Sequence, residues 1–319
     1  MEQIRNWKKK WSRREYWEKY IVLLLFIIGC AVMLNIRSDL FPTGLNLKQI
    51  VLGDTALMIV VLGISYVMIV GGIDLSVGYQ ISLVSAVIAM LSMRELPDWA
   101  VILGALAVGM LCGLLNGILV AFLDIVPFAA TIATQIIFRG LSYYISKGRM
   151  IANISDTVRA VTKREWLGIR GDLWLALLAI ALFVGIMRFS FPGTYMRAVG
   201  LAEEAAGRAG IKVKKVKCFA YCLAGLLYAT AAVILTSVRG YAGSEIGVGM
   251  EITGIAAAYI GGVLSQAKKP SIIRLIFGVL MVGTIESLVP KVEILSYLKY
   301  LIMGLLLIVV MGIHKKRNQ

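Results

Sequence analysis

Apolar runs of sixteen or more residues recur along the chain, separated by short polar breaks, and most are long enough to cross a bilayer as helices. The runs fall at 20–36, 50–70, 75–93, 99–123, 126–146, 173–189, 218–238, 250–265, 272–289 and 295–313. The expected fold is therefore all-α, a polytopic integral membrane protein of about ten transmembrane helices. Residues 1–19 precede the first run and 314–319 follow the last, leaving 20–313 as the transmembrane domain. An even number of spans places both termini on one side.

The distribution of basic residues says which side. Counted over the connections, 18 Lys/Arg fall on the side of the termini and 11 on the other, so the termini are read as cytoplasmic. Residues 147–171 break the trend with six basic residues on the outer side, among them Arg149, Arg159, Lys163 and Arg164. Either this loop meets an acidic partner or a span is misplaced. Residues 1–19 carry seven Lys/Arg against three Glu, with Trp7, Trp11 and Trp17 interleaved, the pattern of a helix lying at the headgroups. No small-residue cleavage site follows, so 20–36 is read as an uncleaved first helix.

Composition agrees: 59% of residues are hydrophobic and 16% charged, with a mean hydropathy of +0.84, too apolar for a soluble domain. The net charge of +15 sits at the ends of apolar runs, which is topology rather than a nucleic-acid surface. The single histidine, His314, lies in the tail, which excludes histidine-based zinc sites and Ser-His-Asp chemistry. Cys218 and Cys222, one helical turn apart in an apolar run, read as packing residues. There is no Walker-type nucleotide motif.

Four stretches depart from plain spans. Residues 193–217 form a polar island in which 201–208 reads as a short helix bracketed by Gly200 and Gly210, with Glu203 and Glu204 in its first turn. Ala202, Ala205, Ala206 and Ala209 give it a small-residue face; a solvated loop and a docking element both fit these residues. Gly71-Gly72-Ile73-Asp74-Leu75-Ser76-Val77-Gly78 interrupts two spans without room for an ordinary loop. Its glycines permit a sharp turn and Asp74 and Ser76 can cap the next helix, while a carboxylate at this depth can also line or gate a polar path. Gly109, Gly113 and Gly117 repeat every four residues, a face for close helix packing. Residues 250–265 make only about 24 Å of helix against a core of about 30 Å, too short for an upright span.

The stretch Gly71–Gly78 resembles the membrane permease subunits of ATP-binding-cassette importers for monosaccharides, the ribose, galactose, xylose and autoinducer-2 type. The resemblance continues through Val126-Pro127-Phe128-Ala129-Ala130-Thr131 with Arg139-Gly140. It reaches Gly200-x-x-Glu203-Glu204-Ala205-Ala206-x-x-x-Gly210-Ile211 and then Gly249-x-Glu251-Ile252-x-x-Ile255-Ala256-Ala257 with Gly261-Gly262. The resemblance implies that 193–217 is a coupling loop, with Glu203, Glu204, Ala205, Ala206, Gly210 and Ile211 seated in a cleft of a separate ATPase. It also implies Gly72, Asp74, Ser76, Gly78 and Glu251 as candidates for the translocation path or its gate. The implied partners are the ATP-binding cassette ATPase, which holds ATP and Mg, an extracellular solute-binding protein, a second permease chain (a copy or a different one), and membrane lipid. No cofactor is expected on this chain and no nucleic acid. The implied location is the bacterial plasma membrane, with Arg149, Arg159, Lys163 and Arg164 as candidates for docking the binding protein.

Two departures stand against the resemblance. Gly200-Leu201-Ala202 replaces the usual Gly-Gly-Asn. A glycine-rich junction after Gly261-Gly262 is replaced by Val263-Leu264-Ser265-Gln266-Ala267-Lys268-Lys269-Pro270, so that a second, different permease chain becomes an alternative to a homodimer. The rival class is an ion-coupled secondary transporter, with Asp54, Asp74, Glu245, Glu251 and Glu286 as its possible proton carriers.

Overall fold

The computed structural model describes residues 54–263 and 271–288, together with Leu301 and Gly304. The expected spans 20–36 and 295–313, both terminal segments and the altered junction at 264–270 lie outside the described residues. The described elements are α1 (Thr55–Ile69), α2 (Val77–Met93), α3 (Asp98–Ala121), α4 (Pro127–Ser146), α5 (Asp156–Ala160), β1 (Glu165–Trp166), β2 (Ile169–Arg170), α6 (Gly171–Phe189), α7 (Phe191–Leu201), α8 (Glu203–Arg208), α9 (Val213–Arg239), α10 (Met250–Ile260) and α11 (Ile272–Leu288). By length and composition, α3, α6 and α9 can each cross a membrane.

α1 is the axis of the molecule. All fifteen of its residues are buried, as expected of a helix apolar on every side. α9 and α6 pack against it, and α10 and α11 close another side. α9 also lies along α3, and here the glycine repeat does what its spacing predicts. A Cβ on Gly109 would stand 2.4 Å from the Ala229 Cβ, and one on Gly113 would stand 2.3 Å from the Tyr221 carbonyl oxygen. Gly117 rests against Cys218, which is buried at the contact as a packing residue. With no hydrophobic drive between helices in lipid, such close backbone approach is what holds a pair together. On their other sides α3 and α6 expose Leu103, Leu111, Leu177, Leu178 and Leu182, an apolar surface suited to lipid.

Between α4 and α6, residues 147–170 fold onto the ends of neighbouring helices. Asp98 at the start of α3 accepts hydrogen bonds from the Ser155 and Thr157 hydroxyls. The Thr162 hydroxyl pairs with Ser237 of α9 at 2.8 Å, and Ile151 forms a backbone bridge with Ala242. β1 and β2 pair in antiparallel register, Trp166 opposite Ile169, around a turn in which Leu167 and Gly168 both have positive φ, the primed turn that a two-residue hairpin demands.

Two elements differ from expectation. α10 ends at Ile260, because Gly261 and Gly262 stop it and Gly262 has φ +72°, although the apolar run continues to 265. The polar island contains two helices, not one at 201–208. Ser190 caps α7, its Oγ accepting from the Gly193 N–H at 3.3 Å, and Pro192 lies in the first turn. The chain then breaks at the extended Ala202 and restarts as α8.

Candidate functional site

The break between α1 and α2 lies within the helical bundle. Gly71 has φ +88°, and a Cβ on Gly72 would meet the Tyr221 hydroxyl at 2.6 Å. Asp74 is 1% exposed, and its Oδ1 accepts from the Ser76 N–H at 2.9 Å and the Ser76 hydroxyl at 2.6 Å. The Ser76 side chain is thus spent on Asp74 and does not cap α2, contrary to expectation. Its oxygen accepts from Gln80 Nε2 at 2.7 Å and Asn116 Nδ2 at 2.8 Å, and Asn116 Oδ1 accepts from Thr134 at 2.6 Å. One buried polar chain therefore ties the break to α3 and α4. Asp74 Oδ2, Gln80 Oε1 and the hydroxyls of Tyr221 and Tyr228 are buried with no hydrogen-bond partner among the described residues, a concentration of unmet polar groups.

The depth of this break follows from its partners. Asn116 is five residues from the end of α3 and Thr134 seven from the start of α4, so the break sits about 8–10 Å along the helices from that end.

A second interruption meets it. After α9, residues 240–249 run as irregular backbone in which Ala242, Ser244, Ile246 and Gly247 are buried. Serines of α2 supply acceptors: the Gly247 N–H donates to Ser82 Oγ at 3.1 Å and the Gly243 N–H to Ser85 Oγ at 3.4 Å. Gly247 and Gly78 touch backbone to backbone, since a Cβ on Gly247 would lie 2.4 Å from the Gly78 carbonyl oxygen. Gly249, at φ +91°, then turns the chain into α10, whose first turn carries Glu251. A Cβ on Gly78 would lie 2.2 Å from Glu251 Oε2, a buried atom with no hydrogen-bond partner among the described residues. The structure thus brings Gly72, Asp74, Ser76, Gly78 and Glu251 into one region where two helices begin inside the bundle. Irregular backbone at such depth is tolerated only where protein or a water-filled path surrounds it.

The six candidates at 203–211 form a separate group. Glu203, Glu204, Ala205 and Gly210 are exposed, Ile211 is half-buried and Ala206 is buried in the chain's own packing, so the small-residue face is narrower than its sequence suggested. Lys217 holds Glu203 at 2.6 Å, and Lys214 holds Asp124 at 2.9 Å. Beside α8, a cleft of about 450 Å³ opens between Pro192, Tyr195, Gly210, Ile211, Lys215 and Phe219. α7 leads from this region to the break: a Cβ on Gly200 would fall 1.7 Å from the carbonyl oxygen of Ile69, the last residue of α1.

Of the basic residues at 147–170, Arg149, Lys163 and Arg164 are exposed. Arg159 is half-buried and donates to the Ala152 carbonyl, and Arg170 is paired with the buried Asp172 at 2.9 Å. Sequence reasoning missed Gln80, Asn116 and Thr134, although an amide in the apolar run 99–123 was a visible signal. Among the described residues no three His, Cys, Asp or Glu side chains are grouped to hold a metal.

Two helices interrupted inside an apolar bundle, joined through α7 to a polar helical element, define a membrane transport protein. The chain belongs to the family described as the branched-chain amino acid transport system / permease component, whose model matches residues 46–311. The ribose import permease protein of Bacillus subtilis is 30% identical over 297 residues, covering 92% of this chain and 91% of the relative. The L-arabinose transport system permease protein of Escherichia coli is 29% identical over 304 residues, 94% and 92% of the two chains. The ribose import permease protein of Haemophilus influenzae is 29% identical over 296 residues, 92% and 91%. No solved structure matches the chain. Nothing in these comparisons favours the ion-coupled carrier.

Proposed function

We propose that this chain is the membrane permease of an ATP-driven importer that takes up a monosaccharide handed over by an extracellular binding protein. The ribose and arabinose permeases it resembles along nearly their whole length support the substrate class. In this reading ten spans cross the bacterial plasma membrane with both termini in the cytoplasm. ATP and Mg are held by a separate ATPase, and two permease chains, two copies of this one or this one and a second kind, face each other across the path.

The observation that carries the mechanism is the seat of Gly200 on Ile69. A push on α8 from the ATPase reaches α7 across the single extended residue Ala202. α7 abuts α1 two residues before Gly71-Gly72, where the backbone can turn. Coupling thus reaches the interruption holding Asp74 and Ser76 through packed backbone, without a long side-chain relay. Exposure makes Ala205, not the buried Ala206, the position to probe contact with the ATPase.

The test is reconstitution of the permease in proteoliposomes with its ATPase and binding protein, supplied with D-ribose, L-arabinose and D-galactose. Uptake should require both partners and ATP, and a cysteine at Ala205 should crosslink to the ATPase. Uptake by the permease alone, driven by an ion gradient, would overturn the reading.

A further inference from the structure

α4 carries a full charge where a lipid-facing helix would not. Its buried stripe, Ala130, Thr131, Thr134, Phe138 and Ser142, packs on α2. Arg139 lies beside that stripe, exposed, seven residues or about 10 Å short of the helix end at Ser146. Its guanidinium stands 5.6 Å from the centre of the Tyr79 ring and 5.9 Å from that of Tyr143. Tyr143 in turn donates its hydroxyl to the Glu245 carboxylate in the irregular 240–249 segment. Three separate elements therefore converge on one small surface.

The charge does not suit lipid. A cation well inside the bilayer is costly, and stacking on aromatic rings offsets only part of that cost. The guanidinium N–H groups have no acceptor among the described residues, so the ring contacts are not reinforced by an ion pair. Arg139 must therefore look toward water or another polar body.

The same surface adjoins the interrupted helices. Tyr79 follows Gly78, the residue packed against Glu251, and Glu245 is two residues before Gly247. The Glu245 carboxylate disfavours an anion and Arg139 disfavours a cation. A neutral polyhydroxylated molecule satisfies both. Its C–H groups pack against the tyrosine rings beside the guanidinium, its oxygens accept from the guanidinium N–H groups and its hydroxyls donate to the Glu245 carboxylate.

We infer that Tyr79, Arg139, Tyr143 and Glu245 form a contact station for a monosaccharide in transit, so that this edge of α4 faces the path and not the lipid. The inference rests on the importer reading and assigns residues that the sequence motifs left out of the path.

Two measurements on the reconstituted importer with its ATPase and binding protein test it. First, single cysteines replace Arg139, Tyr143 and, as a lipid-facing control on α6, Leu178, in a background where the native cysteines are alanine. A charged, membrane-impermeant thiosulfonate should modify the first two at least about tenfold faster than the control. Labelling no faster than at Leu178 overturns the inference. Second, Tyr143→Phe and Glu245→Gln are assayed with D-ribose, L-arabinose and D-galactose. Both should assemble and retain binding-protein-stimulated ATP hydrolysis, yet move at least fivefold less sugar per ATP. Full transport by both variants overturns the inference and leaves the importer reading standing. If the unaltered permease takes up sugar without its ATPase, the importer reading fails and the station falls with it.

Discussion

At Gly200 a missing side chain joins two functions. The Ile69 carbonyl oxygen occupies the place where a Cβ would stand, at 1.7 Å, far inside any contact distance. Gly200→Ala should therefore displace α7 from α1 at a cost of about 1–3 kcal/mol. Because the displaced contact is the one that joins α8 to the Gly71-Gly72 turn, coupling should suffer more than folding. Expected is a modest fall in the thermal midpoint of the purified complex, with ATP hydrolysis continuing while sugar uptake drops about tenfold or more. Uptake equal to the unaltered protein would show that the close approach carries no mechanical load. The residue sequence already marked Gly200, but as a helix end. Its actual place inside α7 was hidden, because what fixes it is contact with a segment 131 positions earlier. Asp74 shows the same limit. Its burial was legible from the apolar flanks, whereas the Ser76–Asn116–Thr134 chain that holds it depends on three helices meeting.

Among the elements, the long helices were readable because apolar length decides them. α3, α4, α6 and α11 lie within a few residues of the runs at 99–123, 126–146, 173–189 and 272–289. The 240–249 segment was not readable, since its irregular backbone is stabilised by α2 and not by any local pattern. Ser82 and Ser85 each accept an N–H from it, so its fold depends on hydroxyls some 160 positions away. Ser82→Ala leaves the Gly247 N–H without its acceptor and removes one of the few polar ties between α2 and this segment. Loss of a buried hydrogen bond costs about 1–3 kcal/mol. Residues 243–248 should then exchange amide hydrogens about fivefold or more faster in the purified complex, while α3 and α9 remain protected. Unchanged exchange at 243–248 would mean that the Gly78–Gly247 contact alone fixes the segment.

On the scale of the whole molecule, the basic surface of residues 147–170 is divided by what each side chain already does. Arg159 and Arg170 serve the fold, one on the Ala152 carbonyl and the other on buried Asp172, so reversing them would disturb folding and docking together. Lys163 and Arg164 are exposed and stand just before the β1–β2 turn, whose Trp166 and Leu167 also project into solvent. If this surface receives an acidic binding protein, charge there sets the encounter rate more than the final affinity. Lys163→Glu with Arg164→Glu should slow association several-fold at 20 mM salt, and the difference should shrink toward nothing at about 0.5 M as screening shortens the reach of charge. Binding-protein stimulation of ATP hydrolysis, measured across that range at subsaturating binding protein, reads the effect. A defect of equal size at every salt concentration would point to a disturbed loop instead. No defect at any concentration would leave the loop's excess of positive charge to some other acidic surface.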